Sequence, residues 1–363
     1  MPMRLRFLSL LAAAVLSNPA HADRWILSSA RSAGKNGAFF VTDVRLLNAS
    51  NTDAATLHLV YYPSGGSAVT SAEVTILPRR QKALDNVLES VFGFTSNTFG
   101  PIRVVANDSV QVSSRTYNVT DPCSGGTFGS ALPGEGAEAA VTSGLVSQVA
   151  GSADPSSGSR TNLIVTNPST ADAHVTVKVR TGDGVLLGAA TLPSVAPNGI
   201  SQAEVFSLVG AASVTTGDAF VEFVSDVPVL VAATVVDNRT GDSSIFLAKE
   251  AAPPPTLVKV GDRTTYSGPH GVSGSATIVS PTTIQVSGFF ADGSAPGLDI
   301  RLGLAPNPRQ AFAVARVIAR QVYSNATFEV TLPAGVTLDS FDTFTVWCYE
   351  FNVVIAEGRF KAP

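Results

Sequence analysis

The chain has 363 residues, of which 45% are hydrophobic and 14% charged, and its formal net charge is −4. This composition excludes an intrinsically disordered chain, and a negative charge without any run of Lys or Arg argues against a nucleic-acid partner. Gly and Pro are plentiful and Met is scarce. This balance favours strands and turns, so we predict an all-β protein of two or three domains.

Residues 1–22 have the features of a secretory signal peptide. Arg4 and Arg6 form a short basic region, the apolar run 7–16 follows, and Ala20-His21-Ala22 is a small-x-small cleavage site. The apolar run is too short to span a bilayer, and no later segment is long and apolar enough to do so. We therefore expect export to the periplasm or the extracellular space, with no transmembrane segment after signal removal.

Beyond the signal, the chain repeats itself with a displacement of 119 residues. Asn48-Ala49-Ser50 returns as Asn167-Pro168-Ser169, and Leu77-Pro78 returns as Ala196-Pro197. Several landmarks at one spacing indicate two copies of the same structural unit.

Runs of apolar or alternating residues predict short strands in both copies. These runs cover 39–47, 55–62, 72–77, 101–106 and 110–119 in the first copy, and 162–166, 174–180, 185–192, 219–224 and 229–236 in the second. Short strands at this spacing, joined by Gly-rich and Asn-rich turns, predict an antiparallel sandwich of immunoglobulin-like type. One segment per copy, 85–92 and 202–209, has apolar residues three and four apart, which predicts one or two helical turns.

The run 251–255 ends in three consecutive prolines and predicts a short extended linker. We therefore expect two tandem immunoglobulin-like β-sandwich repeats followed by a compact antiparallel β domain. The expected segments are the signal 1–22, sandwich repeats 23–140 and 141–250, the linker 251–255 and a C-terminal domain 256–363.

In that last domain, the segment 345–353 has apolar residues on both of its alternating faces. Val346 and Cys348 lie on one face, and Trp347 and Phe351 lie on the other. This pattern predicts a strand that is buried on two sides.

Two other motifs look like ligand sites but have simpler interpretations. Residues 134–139 match the glycine fingerprint of a dinucleotide site, yet they include two glutamates and lie in a connection between the repeats. Residues 237–242 offer oxygen ligands for calcium but lack EF-hand spacing, and we interpret them as a hairpin turn. The histidines do not cluster, and no local nucleophile signature occurs, so we predict no metal site and no catalytic residue.

Two cysteines remain. Cys123 lies in a turn-like segment, and Cys348 lies in the predicted buried strand. An oxidising compartment favours a disulfide between them, whereas a surface turn in one domain and a core strand in another do not suit disulfide geometry. Three interpretations of Cys348 stay open: a disulfide with Cys123, a buried inert thiol, and a redox or ligand residue.

Six segments of the C-terminal region occur in the order of a known family pattern. They are 270–279, 284–289, 295–302, 323–333, 338–342 and 346–348. On these segments the region resembles the DM-thirteen family, an extracellular β-rich module of Skeletor-like animal proteins and of exported bacterial proteins. The two repeats weakly resemble immunoglobulin-like sandwich domains of exported bacterial proteins.

The DM-thirteen resemblance implies redox or electron-transfer chemistry, because the family's Trp-Cys cysteine has been proposed as a redox residue. Carried over, Cys348 is the redox or ligand residue, Trp347 its neighbour and His270 the other motif position. The family is often fused to haem-binding or membrane electron-transfer domains, so haem enters by association only, and such a protein is an implied partner. Family members usually have Gly-Pro-Asp where this chain has Ala295-Pro296-Gly297, so a ligand role for that aspartate is lost here.

Two functions are therefore expected from the sequence. The first is an exported multidomain protein with a redox or electron-transfer accessory module at its C-terminus. The second is a non-enzymatic cell-surface or matrix protein whose repeats act as spacers and bind a protein or surface ligand. An enzyme ranks third, because no catalytic constellation is visible.

Overall fold

The structure is a computed structural model that describes residues 23–107, 109–119, 126–252, 257–304, 312–317 and 319–363. The predicted signal peptide, Cys123 and most of the proline linker lie outside these residues. The described residues are mainly antiparallel strands, and their two α-helices, α1 (Val87–Ser90) and α2 (Val205–Leu208), are four residues long. The predicted all-β class is confirmed, and both helices fall within the segments predicted to form helical turns.

The segment expected to form the first repeat contains one antiparallel sheet that folds around its own core. Its strands are β1 (Arg24–Ala33), β2 (Phe39–Asn48), β3 (Ala55–Tyr61), β4 (Val69–Thr70), β5 (Val74–Ile76), β6 (Gln81–Leu84), β7 (Thr98–Val105), β8 (Val110–Asn118), β9 (Phe128–Pro133) and β10 (Glu135–Gly136). The main path of the sheet is β4-β3-β7-β1-β2-β8-β9. The central strand β1 was missing from the predicted runs.

The segment expected to form the second repeat contains an eight-stranded sheet of similar connectivity. Its strands are β11 (Val141–Gly151), β12 (Ser159–Thr166), β13 (Val175–Thr181), β14 (Leu186–Thr191), β15 (Ile200–Glu204), β16 (Thr216–Asp237), β17 (Ser243–Leu247) and β18 (Lys249–Glu250). The order is β14-β13-β16-β11-β18, and β12 lies between β15 and the second half of β16.

The repeat is visible in the hydrogen bonds of one buried asparagine per copy. Asn48 Nδ2 donates to Ile76 O at 3.0 Å, and Asn167 Nδ2 donates to Val195 O at 2.8 Å. Both asparagines are fully buried, and both their positions and those of their acceptors differ by 119 residues. The same side chain therefore ties the same two chain segments together in each copy.

The two copies differ where the sequence predicted separate strands at 219–224 and 229–236. These runs form one strand, β16, whose first half pairs with β13 and whose second half pairs with β12 and β17. Pro228 lies at the change of partner. Proline has no backbone N–H to donate to a neighbouring strand. At the change of partner no such hydrogen bond is needed, so Pro228 is tolerated there.

The C-terminal region, residues 257–363, contains two four-stranded antiparallel sheets. One has the order β19-β20-β21-β24 and the other β23-β22-β25-β26. Their bounds are β19 (Arg263–Ser267), β20 (Ser273–Ser280), β21 (Thr283–Asp292), β22 (Leu298–Gly303), β23 (Phe312–Val317), β24 (Val322–Thr331), β25 (Thr343–Cys348) and β26 (Val353–Arg359). The sheets enclose a core rich in aromatic and β-branched residues, as a compact antiparallel domain requires.

Adjacent regions are packed against each other. The two repeats share a cluster formed by Trp25, Leu27, Ile164, Leu230 and Ala232. The second repeat contributes Leu186 to the core cluster of the C-terminal region. No helix in the described part of the chain is long and apolar enough to cross a membrane.

Candidate functional site

The Trp-Cys motif ends strand β25, which lies between β22 and β26 in its sheet. All six residues of β25 are buried, which confirms burial on both faces for this part of the predicted strand. The prediction was wrong beyond Cys348, because residues 349–352 form the turn to β26. Asn352 has a positive φ of 54°, a conformation that asparagine tolerates better than most residues, and Phe351 is 70% exposed.

The inner face of β25 carries the candidate cysteine. Cys348 is a free thiol, is 1% exposed and belongs to the C-terminal core with Phe344 and Val346. Its cross-strand neighbours are Leu298 on β22 and Val353 on β26. The thiol thus sits among apolar side chains at the last residue of its strand, directly before an exposed turn.

The outer face of the same sheet carries alternating aromatic and charged groups. The Arg301 guanidinium lies 4.5 Å from the centre of the Trp347 ring, and that of Arg316 lies 4.5 Å from the Tyr349 ring. Asp299 accepts from both arginines, at 3.4 Å from Arg301 and 3.3 Å from Arg316. Asp299 is buried and Arg316 is 70% exposed, so the array runs from the protein interior to the surface.

Three polar atoms on this outer face are buried without a hydrogen-bond partner: Trp347 Nε1, Arg301 Nε and Thr345 Oγ1. Thr345 pairs with Arg301 across the strands and is two residues from Trp347, so all three groups share one face. A buried donor without a partner costs about 1–3 kcal/mol. This face of the sheet therefore has unused capacity for an oxygen acceptor.

His270 lies in the turn between β19 and β20, in the other sheet. Its Nδ1 is 2.7 Å from Ser294 Oγ, which in turn donates to Asp292 Oδ1 at 2.5 Å. The two hydrogen bonds from Ser294 lower the pKa of Asp292, and the charge of His270 contributes less. Since the serine proton is directed to the carboxylate, Nδ1 of His270 is the donor in its contact with Ser294. Ser294 is therefore not an activated nucleophile.

The structure does not bring His270 and Cys348 into direct contact. The loop that carries Ser294 continues through Ala295-Pro296-Gly297 to Leu298, the pairing partner of Cys348. A Cβ at Gly297 would stand 2.2 Å from the Tyr349 ring, so close packing of that ring explains a glycine at this position.

Haem, implied by association only, does not fit these residues. A haem site needs an axial ligand that faces an apolar slot, but Cys348 is enclosed by packed core side chains and His270 lies in a surface turn of the other sheet. Among the described residues, no group of three or more His, Cys, Asp or Glu side chains could hold a metal ion.

Sequence reasoning missed Arg301 and Asp299, which contact or neighbour Trp347. The signal was present, because Asp299-Ile300-Arg301 alternates charged and apolar residues in a segment where both faces turn out to be buried. A buried strand with two charges on one face indicates a paired cluster rather than a solvated surface.

Comparisons with known proteins single out this region. Residues 265–359 match the family described as Electron transfer DM13, the DM-thirteen family of the sequence resemblance. The matched segment contains Trp347, Cys348 and His270. Searches of the curated proteins and of the solved structures found no match to the chain.

Proposed function

From this match we propose that the C-terminal region is a redox or electron-transfer module of an exported protein. The match of residues 265–359 to an electron-transfer family is the observation that carries the proposal. The signal 1–22 directs export to the periplasm or the extracellular space. Sandwich repeats 23–140 and 141–250 and the linker 251–255 present the module, which occupies 256–363.

Cys348 suits the redox role better than its neighbour Trp347. Loss of one electron from an indole ring leaves a positive charge, and the Arg301 guanidinium 4.5 Å away opposes that charge in a buried site. Trp347 Nε1 also has no acceptor for its proton. Cys348 is a free thiol that lies in the hydrophobic core cluster.

Access to the buried thiol is provided by the hairpin tip. Cys348 is the last residue of β25 and pairs with Val353, the first residue of β26. Between them lie only the four turn residues, of which Phe351 is 70% exposed, and Val353 itself is 41% exposed. Local opening of strand ends needs far less free energy than global unfolding, so fraying of this hairpin end would expose the sulfur.

The chemistry proposed for Cys348 is exchange with a disulfide of a partner protein. The thiolate attacks one sulfur of that disulfide, so that a new S–S bond forms as the old one breaks. Cys348 is oxidised, and the leaving sulfur is reduced and takes up the proton that the thiol released. The partner is a thiol-disulfide or membrane electron-transfer protein that meets the module outside the cytoplasm.

The test compares two single-cysteine variants. Cys123→Ser keeps only Cys348, and Cys348→Ser keeps only Cys123, so each is the control for the other. Native protein is incubated with oxidised glutathione and the mixed disulfide is located by mass spectrometry. We expect an adduct on Cys348 in the native Cys123→Ser protein. If the adduct forms only after denaturation, the thiol is not accessible in the native protein and the proposed redox role is wrong.

A second function, binding without catalysis at a cell surface or in a matrix, is favoured by the contact between the repeats. Trp25 and Leu27 of the first repeat are buried against Ile164 and Leu230 of the second. A shared apolar cluster holds the repeats in a fixed arrangement, as a spacer requires. Full retention of the cellular phenotype in Cys348→Ser would favour this function over the redox role.

A further inference from the structure

A cavity of about 460 Å³ lies between the two repeats, away from the Trp-Cys strand. Sites for small molecules commonly have volumes of about 300–1,000 Å³. One wall is the outer face of the second repeat's β12, β15, β16 and β17. The other wall is formed by β1, β2, β7, β8 and β9 of the first repeat.

The second-repeat wall follows from strand alternation. Arg160, Asn162 and Ile164 occupy every second position of β12 and so point to one side. Their ladder neighbours complete the wall, since Asn162 pairs with Thr234 and Ile164 pairs with Gln202. A charged group, two amides, a hydroxyl and an apolar side chain thus line one continuous surface.

The two walls are joined at several points. Ser28 Oγ donates to Gln202 Oε1 at 3.2 Å, and the hydroxyl oxygens of Ser130 and Ser243 are 2.5 Å apart. The shared apolar cluster closes the interface beside the cavity, where Ile164 belongs to both. The cavity is therefore a preformed part of the packed interface rather than a groove on one repeat.

The charge of the lining is one-sided. Among the residues that the structure describes, Lys35 and Arg160 line the cavity and no Asp or Glu does. Arg160 donates from Nη1 to Asn238 Oδ1 at 2.8 Å and forms no ion pair within the described chain. Burial lowers the pKa of Arg160, and the charges of Glu204 and Asp237 only partly oppose this shift. A guanidinium has five N–H donors, so most of those on Arg160 remain available.

The nearby carboxylates are committed elsewhere. Glu204 accepts from the backbone N–H groups of Phe206 and Ser207 at the start of α2. Asp237 accepts from the backbone N–H groups of Arg239 and Thr240 in the hairpin turn. Neither acid lines the cavity, although the charges of both act on Arg160, so the lining itself offers a ligand only cationic groups.

We propose that this cavity binds an acidic carbohydrate, in which a sugar carboxylate pairs with Arg160 and Lys35. The sugar hydroxyls hydrogen-bond to the serine, threonine and amide side chains of the two walls, and a sugar face packs on Phe40 and Phe99. A small inorganic anion would leave most of the volume unfilled. This site is independent of the chemistry at Cys348.

The test is calorimetric titration of the full chain with a disaccharide of galacturonic acid. The uncharged galactose disaccharide, inorganic phosphate and an acidic dipeptide are the comparison probes. We expect the uronate to bind and the neutral sugar, phosphate and dipeptide to bind at least tenfold more weakly. Equal affinity for uronate and neutral sugar, stronger binding of the dipeptide, or no uronate binding overturns the proposal.

Variants locate the site. Arg160→Gln should weaken uronate binding roughly 10- to 100-fold, because it removes a charge-assisted hydrogen bond. Arg239→Gln, which changes an exposed arginine outside the cavity, is the matched control and should bind as the parent does. Ser32→Trp fills the cavity from the β1 wall and should abolish binding even if Arg160→Gln fails to fold. Unchanged uronate affinity in folded Arg160→Gln or Ser32→Trp contradicts the assignment.

Discussion

A buried ion pair joins the second repeat to the C-terminal region. Lys178 Nζ lies 2.8 and 2.7 Å from the two carboxylate oxygens of Asp339 and 2.8 Å from Thr337 Oγ1. The Lys178 and Asp339 side chains are 9% and 11% exposed. Replacing Lys178 by Met keeps the length of the side chain and leaves the carboxylate without its cation.

The expected loss of stability is large for a single substitution. Removal of one partner from a buried pair costs about 3–5 kcal/mol, because the remaining charge is left uncompensated. Burial alone would raise the pKa of Asp339, but hydrogen bonds from Lys178 and Thr337 outweigh it and lower that pKa. The pair therefore stabilises the fold above the ordinary carboxyl pKa of 3.8, and this contribution is lost as the pH falls through the lowered value.

Denaturant unfolding followed by tryptophan fluorescence measures this effect. A Trp25→Phe background leaves Trp347 as the sole reporter, so the transition belongs to the C-terminal region. Lys178→Met should lower the free energy of unfolding strongly at neutral pH and much less in acid. Glu138→Gln is the control, because it breaks the ion pair between Arg24 and a carboxylate that is 72% exposed. It should change the free energy of unfolding by less than about 1 kcal/mol.

If Lys178→Met lowers the free energy of unfolding by less than about 1 kcal/mol at neutral pH, the pair is worth no more than an exposed ion pair, and the prediction is wrong. An equal loss at neutral and acidic pH would refute it as well. The double variant Lys178→Met with Asp339→Leu should recover most of the loss, because it removes both buried charges.

Three further predictions concern packing and hydrogen bonds. Gly297→Ala should cost roughly 1–3 kcal/mol through overlap with the Tyr349 ring, and an unchanged melting temperature would contradict that overlap. Asn48→Ala and Asn167→Ala should each lower the free energy of unfolding by roughly 1–3 kcal/mol, because each leaves buried carbonyl groups without their donor. A large difference between their denaturant midpoints would show that the residue does not have the same role in the two repeats. Burial raises the pKa of Tyr61 to about 12, so its contribution to stability is complete below pH 10.0 and is lost as the pH rises through about 12. Tyr61→Phe should remove that part of the alkaline stability loss, and an unchanged profile would contradict it.

The sequence predicted local features of the fold well and long-range ones poorly. The 119-residue displacement identified equivalent residues such as Asn48 and Asn167, whose side chains repeat the same bonds. The break expected near Pro228 was wrong, because a proline between two ladders loses no hydrogen bond and β16 continues through it. A strand-breaking residue in the sequence therefore does not show whether the chain turns or a strand changes its pairing partner.

The candidate site was predicted in part. Burial of β25 on both faces followed from its apolar alternation and is confirmed up to Cys348. The role of Asn352 in ending the strand was missed, because the apolar pattern continued past it into the turn. The alternation of Asp299-Ile300-Arg301 indicates a paired charge cluster but not its partner ring, because Arg301 and Trp347 lie on strands that are distant in sequence. The cavity beside Arg160 likewise joins distant strands.

The central claim, that Cys348 becomes reactive by local opening of the β25–β26 hairpin end, is tested by its alkylation rate in native Cys123→Ser protein. The rate should exceed that of global unfolding. Asn352→Val, which strains the turn residue at positive φ, should raise it roughly 5- to 30-fold, whereas the control Asn198→Val in the second repeat should not. Alkylation that proceeds only at the rate of global unfolding, equally in both variants, would show that Cys348 is an inert core thiol.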